Sequence, residues 1–291
     1  MMAPEYYVFT GRAGEVVPNH ITHVVIAKAR KFVPALAFYE HPNIQEVICH
    51  DGVFKIEQWA FFKCPQLRRV VMPGVKVLEK NAFDGCESLT YIECGKLEII
   101  GRAAFRSCSL CSIDLPYIKI VRAYAFAYCT KLKNVKIGKY LESFGERAFR
   151  GCWSLERIAL PLKDGMISED DVFHMCSKLN RVDLFGGVHE TIAALQMEEW
   201  KHDINGEIDL IRQILPNTSD GDWTDVGGKA REIRRWITSV LRKIIHYTSE
   251  HRSILNEAAA TLLSSLPNDI VSENVLPFLE LPSDTSFEGE E

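Results

Sequence analysis

The chain has 291 residues, of which 47% are apolar and 25% charged, a composition that excludes a disordered polymer and suffices for one large domain or two ordinary ones. Its formal charge of −5, from 34 basic and 39 acidic residues, is too small an imbalance to point to nucleic acid or membrane as a partner. Nine cysteines, an odd number, fit free thiols in a reducing compartment better than a disulfide framework.

Met1 to Val17 has no apolar run behind a basic start. Glu5, Arg12 and Glu15 interrupt it, so a secretory signal is not expected. No stretch of about 18 apolar residues offers a membrane span. The expectation is a cytoplasmic or nuclear protein that is not secreted, with residues 1–30 forming an N-terminal cap.

From residue 31 a repeat governs the chain. Ala60-Phe61 leads to Cys64 and Leu67, and Ala82-Phe83 to Cys86 and Leu89. Ala104-Phe105 leads to Cys108 and, one residue early, Leu110. Ala125-Phe126 leads to Cys129 and Leu132, and Ala148-Phe149 to Cys152 and Leu155. Val172-Phe173 with Cys176 and Leu179 is a worn copy, and Ala37-Phe38 with His41 and Ile44 is a first copy with His in the Cys place. The Phe positions are separated by 23, 22, 22, 21, 23 and 24 residues. That period falls within the roughly 20–29 residues of leucine-rich repeats, and seven copies exceed the about three that a stacked array needs.

Each Leu opens an alternating stretch, as in Leu67-x-x-Val70-x-Met72 or Leu155-x-x-Ile158-x-Leu160, which reads as a strand with one buried face. Pro73, Gly95, Pro116, Gly138 and Pro161 stop these strands. A second short apolar segment follows, for example Val75 to Leu78 or Ile118 to Val121, before the Ala-Phe-x-x-Cys stretch turns the chain back. One such unit buries too little to fold alone, whereas stacked units share a core and build a parallel sheet.

Ile100-Gly101-Arg102-Ala103-Ala104-Phe105 and Phe144-Gly145-Glu146-Arg147-Ala148-Phe149, followed by Cys, Leu and an Ile-x-Leu-Pro strand, carry a pattern that resembles the BspA-type leucine-rich repeats. The resemblance covers roughly residues 30–187. With the tail after Gly187, the whole chain also resembles an expanded group of such proteins in diatoms. It implies an α/β fold, a right-handed leucine-rich-repeat solenoid over 31–187 with a C-terminal α-helical module, and a role in interaction without catalytic residues.

After Gly186-Gly187 the periodicity becomes helical. Ile192, Leu195, Trp200, Ile204, Ile208, Ile211 and Leu215 predict a helix over His189 to Leu215, broken near Asn205-Gly206. A polar loop from Thr218 to Gly228 precedes a second helix over about Lys229 to Leu263, with Ile233, Trp236, Ile237, Val240, Ile244, Tyr247 and Ile254 on its apolar stripe. The helical module is placed at 188–267, where two antiparallel helices can bury their stripes against each other or cap the open solenoid end, and serve as cap or second contact. Residues 268–291 are expected to be a largely disordered acidic tail.

The cysteines at 64, 86, 108, 129, 152 and 176 share one repeat position and should form a ladder. A chain of metal sites is the bolder reading. A one-sided ladder cannot supply the convergent ligands of a tetrahedral centre, so small buried hydrophobes are favoured. Cys108-x-x-Cys111 has no second pair near it. Glu169-Asp170-Asp171 with His174 could ligate a metal, but reads better as acids at the start of a helical turn capped by Ser168. Lys229, Arg231, Arg234, Arg235, Arg242, Lys243 and Arg252 make the second helix locally basic, for which a solvated face is the preferred reading. No G-x-S-x-G elbow, H-E-x-x-H or Walker A loop occurs, so no enzyme, metal or cofactor is expected.

The favoured recognition surface is the outward side of the repeat strands, where Arg69 and Val71, Tyr91 and Glu93, Ser112 and Asp114, Asn134 and Lys136, Arg157 and Ala159, and Arg181 and Asp183 flank the buried middle residue. Of these, Arg69, Tyr91, Glu93, Asp114, Lys136, Arg157, Arg181 and Asp183 are the candidate partner-binding residues. Their mixed signs argue against a phosphate backbone and for a protein partner, with neither nucleic acid nor membrane expected. The alternative is a structural scaffold that dimerises through the C-terminal helices.

Overall fold

The computed structural model describes residues 6–12, 14–185, 197–218 and 228–265. Among these described residues fifteen short strands stack in parallel. One row of sheet is formed by β1 (Tyr7–Phe9), β2 (His23–Ile26), β4 (Glu46–Ile48), β6 (Arg69–Val71) and β8 (Tyr91–Glu93), paired in that order. The row resumes with β10 (Ser112–Leu115), β12 (Asn134–Ile137), β14 (Arg157–Pro161) and β15 (Arg181–Phe185). A second, six-stranded sheet joins β3 (Phe32–Val33), β5 (Lys55–Ile56), β7 (Val77–Leu78), β9 (Ile99–Ile100), β11 (Ile120–Val121) and β13 (Ser143–Phe144). The result is a parallel β-solenoid of about seven turns. Its stacking begins at Tyr7–Phe9, ahead of the first Ala-Phe copy.

The first sheet is interrupted between β8 and β10, where the repeat is one residue short between Cys108 and Leu110. Ser109 spans this corner through its side chain: its hydroxyl donates to the Glu87 carbonyl of the preceding repeat at 2.6 Å. The second sheet passes the same level unbroken, through β9 and β11. The missing residue is therefore absorbed at one corner rather than spread over the turn.

The third side of each coil has no strands, yet it carries its own ladder. In each of the first six repeats two residues, four apart, take a left-handed backbone, as do Trp59 and Lys63 at φ of 55° and 51° and Tyr124 and Tyr128 at 59° and 60°. Such a conformation costs a non-glycine residue about 1–2 kcal/mol. It points alternate amides along the solenoid axis, so that Trp59, Phe61 and Lys63 donate to the carbonyls of Lys80, Ala82 and Asp84 at 3.1, 2.8 and 2.7 Å. Backbone groups that would otherwise be buried without partners are thereby satisfied.

Inside, Phe38, Phe61, Phe83, Phe105, Phe126, Phe149 and Phe173 stack with centroids 4.8–5.6 Å apart and planes within 17°. Each ring is almost fully buried. At this scale a buried Phe contributes about 1.5–3 kcal/mol. Neighbouring coils approach so closely that some corners exclude a side chain. A Cβ on Gly138 would stand 1.8 Å from the Pro116 carbonyl oxygen, and one on Gly74 2.0 Å from that of Asp51.

The described chain divides into two compact units, and the helices contribute to both. The first comprises the solenoid with Ile211–Arg235. In it, Ile211, Leu215, Ala230 and Ile233 are buried. Lys229, 2% exposed, donates to the carbonyls of Leu179 at 2.7 Å and Leu215 at 3.1 Å. Arg234 donates to the Ile167 carbonyl at 2.8 Å and to Asp170 at 2.6 Å.

In the second unit, α1 (Glu198–Ile214) as far as Leu210 and α2 (Gly228–Ser265) from Trp236 run antiparallel, as their contacts show: Trp200 stacks on Tyr247 at 5.2 Å, Asp203 accepts from Lys243 and Tyr247 at 2.8 Å, and the Glu207 carbonyl accepts from Trp236. The break expected near Asn205-Gly206 does not occur; α1 runs through it. Buried Ile204 and the Glu207 contacts flank Gly206 and outweigh its helix penalty of about 1 kcal/mol. The predicted residues 189–196, most of the loop up to residue 227, and the tail from 268 lie outside the described residues. Ile254, placed on the apolar stripe by its spacing, is instead 49% exposed.

Candidate binding face

The eight candidate residues fall on the outward side of the first sheet, in two registers. One register runs His23, Glu46, Arg69, Tyr91; beyond the interruption it continues Ser112, Asn134, Arg157, Arg181. The other places Val71 beside Glu93, and Asp114, Lys136, Ala159 and Asp183 in line. The strands thus bring the candidates into two patches rather than one row. Arg69, Tyr91 and Glu93 belong to the first patch, and Asp114, Lys136, Arg157, Arg181 and Asp183 to the second.

Within each patch most charges pair with a neighbour of opposite sign, and among the described residues only Glu93 of the charged candidates has no ion pair. Arg69 binds Glu46, which also accepts from the Tyr6 hydroxyl at 2.6 Å. The Arg69 guanidinium lies 5.0 Å from the Tyr91 ring centroid, and Tyr91 remains 47% exposed. Burial works against the Glu46 carboxylate, but its bonds from Tyr6 and Arg69 prevail and hold its pKa below the ordinary value. In the second patch Asp183 accepts from Arg157 and, at 3.0 Å, from Arg181, while Lys136 stands 3.7 Å from Asp114. Neighbours of opposite sign one strand apart are what parallel stacking favours. The irregular sequence of charges becomes an ordered, nearly neutral surface.

The cysteine ladder has a role that the sequence pattern did not reveal. Each thiol donates to the Phe carbonyl of the preceding repeat: Cys64 to Phe38, Cys86 to Phe61, Cys108 to Phe83, Cys129 to Phe105, Cys152 to Phe126 and Cys176 to Phe149, at 3.0–3.2 Å. In the first copy His41 takes the same part, its Nε2 3.2 Å from the Pro18 carbonyl, while Nδ1 accepts from the Asn43 amide at 3.4 Å. Burial pushes the Cys129 thiol up to about 12, and those of Cys86, Cys108 and Cys152 well above their ordinary value. A metal site needs thiolates, which this environment disfavours. The His in the Cys place was no sufficient signal, because the two side chains share metal-binding capacity as well as a hydrogen-bond donor.

The acids near residue 170 are also engaged. Asp170 holds Arg234 and lies 3.7 Å from Arg231, and Asp171 pairs with Arg147 at 2.9 Å. No cluster of three or more metal-ligating side chains stands together among the described residues. The basic character of the second helix is largely consumed internally. Lys229 is buried, Arg235 pairs with Glu232 at 2.8 Å, and Lys243 with Asp203 and Glu207 at 2.8 and 3.0 Å. No helix among the described residues is long and apolar enough to cross a membrane.

Among curated proteins none matches the chain. Solved structures do. A leucine-rich repeat protein of T. pallidum shares 23% identity over 58% of this chain and 82% of its own, with a TM-score of 0.44. One from Bacteroides ovatus shares 22% identity over 57% of this chain and 48% of its own, with a TM-score of 0.41. The sequence profile described as BspA type leucine rich repeat region matches six copies, over residues 19–117 and 98–194, more than half of the chain. With the repeat period, the stacked Phe and Cys positions and the parallel coil in agreement, this chain belongs to the BspA-type leucine-rich-repeat family.

Proposed function

We propose that the protein is a non-enzymatic binding module that recognises a protein partner through the outward strand face, with Tyr91 on Arg69 as the anchor of the first patch and the Arg157–Asp183–Arg181 group as that of the second. Leucine-rich repeats of this kind generally serve as interaction or adhesion scaffolds. The observation that carries the reading is the cross-strand pairing. Side chains already fixed by their neighbours lose little freedom on binding, and a neutral, chemically varied surface suits a folded protein better than a polyanion. Tyr and Arg are among the residue types that most often dominate such interfaces.

The segment Ile211–Arg235 acts in this reading as the cap of the last coil, because Lys229 and Arg234 supply donors to carbonyls that no following repeat would meet. The thiol donors of the Cys ladder favour a reducing, intracellular setting, since oxidation would remove the proton each bond requires.

The test is a Glu substitution at Arg69, Arg157 and Arg181 together, with circular dichroism as the control for folding. The expected outcome is loss of a partner that the native chain retains from its own lysate and that mass spectrometry identifies; undiminished retention by a folded variant rejects this face. A scaffold dimerising through the helices has weaker support. Ile245 and Ile254, both exposed on α2, are nine residues apart and so face about 180° from each other, which makes no single apolar seam. A dimer in light scattering that Ile245→Glu dissociates would put that reading ahead.

A further inference from the structure

The strandless turn face of the same repeats carries charge of a different kind. Lys80 lies 5.4 Å from the Trp59 ring centroid, Arg102 5.1 Å and Arg147 5.9 Å from that of Tyr124, and Arg150 5.9 Å from that of Tyr128. Arg102 and Arg147 belong to the repeats on either side of the one that bears Tyr124, so the ring stands between two guanidinium groups along the solenoid axis. Arg122, exposed, follows Arg102 in the next repeat, its amide donating to the Ile100 carbonyl at 2.9 Å.

The acids of this face are already taken. Asp84, 3% exposed, grips Arg106 through two bonds of 2.8 and 2.9 Å, and Glu146 and Asp171 both pair with Arg147 at 2.9 Å. Lys80, Arg102, Arg122 and Arg150 have no carboxylate within 4.0 Å among the described residues. The Arg150 Nε–H is buried and meets no acceptor there. A chain of net charge −5 therefore concentrates unneutralised, pre-oriented cations on one side of repeats three to six.

We propose that this turn face binds a carboxylate-rich segment of a protein partner, separately from the strand face. The guanidinium fork matches carboxylates in geometry as well as charge, and a ring beneath it holds the fork in place without neutralising it. A single-stranded nucleic acid is the poorer fit. Its bases need open aromatic platforms, whereas Trp59, Tyr124 and Tyr128 are already covered by cations. Few unpaired charges, broken by Glu146, also make a weak track for a phosphate backbone.

The experiment measures fluorescence anisotropy of a labelled oligoglutamate peptide, and of an oligothymidylate of matched charge, on the full chain. The expected result is binding of the peptide that weakens with salt and falls about tenfold or more when Arg102, Arg122 and Arg150 are all changed to Glu. Changing Arg69, Arg157 and Arg181 to Glu alters the net charge equally and should leave it within about twofold. Because the first variant disturbs the packing on Tyr124, Arg102→Gln with Arg122→Gln serves as a milder version that keeps the fold, and it should weaken binding in the same direction. No peptide binding, or an equal loss in both charge-reversed variants, overturns the proposal. Tighter binding of the oligothymidylate, lost in the turn-face variants, overturns it in favour of nucleic acid.

Discussion

The strand face and the turn face are built from the same repeats, yet they treat charge in opposite ways. On the strand face, Arg69, Arg157 and Lys136 each find an acid one strand away, and Arg181 finds Asp183 within its own strand. On the turn face, Lys80, Arg102 and Arg150 lean on aromatic rings and Arg122 stands alone. The difference follows from the backbone. Strands hold residues of successive repeats in lateral register, so opposite signs pair cheaply. On the turns, the left-handed positions of Trp59, Tyr124 and Tyr128 carry rings that shelter the stem of a neighbouring cation. One repeat thus offers two surfaces of distinct chemistry on a common interior.

Because the interior is common, it is where the contrast breaks first. Phe105→Ala removes a ring from the middle of the stack, with an expected cost of about 3–5 kcal/mol. Thermal melts should show that loss, and peptide binding at the turn face should fail at the same temperature as partner binding at the strand face. Separate failure would mean that the two sides of a coil melt independently.

Lys229→Met should have a smaller effect, about 1.5–3 kcal/mol, since it deletes charged donors to the Leu179 and Leu215 carbonyls from a buried position. Here the faces should part. Hydrogen exchange should quicken in β15 and β14, and so in the second strand patch, while the turn-face amides of repeats three and four stay protected. Uniform quickening throughout would show that the end does not fray on its own.

The smallest effect concerns pH. Burial lowers the pKa of His41 below its ordinary 6.5, so the unfolded chain takes up the proton first. The His41 contribution to stability is therefore complete above about pH 6.5 and is lost as pH falls toward the lower folded value. His174 and His251, also lowered chiefly by burial, act with the same sign. His41→Cys supplies the donor used in the other repeats and should flatten, without abolishing, the fall in stability between neutral and mildly acidic pH. Denaturant midpoints across that range measure it, and an unaltered slope would show that His41 is not among the responsible groups. Neither face carries His41, so peptide binding should not change.

The sequence alone determined the repeat, its period, the Phe and Cys ladders and the outward strand positions, because each follows from a periodicity that any parallel stack must project onto the same side. It also located the short repeat at Leu110. Only the tertiary structure decided what that short repeat does: the first sheet is interrupted between β8 and β10, the second runs on unbroken, and the Ser109 hydroxyl reaches the Glu87 carbonyl at the corner between them. The pairing of Arg157 with Asp183 and the freedom of Arg102 were likewise illegible. Each depends on a neighbour 20 or more residues away, at a distance of a few ångströms that no local pattern encodes. The thiol's carbonyl partner belongs to the same class. The period shows that the cysteines align, but only the closeness of one coil to the next turns an aligned thiol into a hydrogen-bond donor.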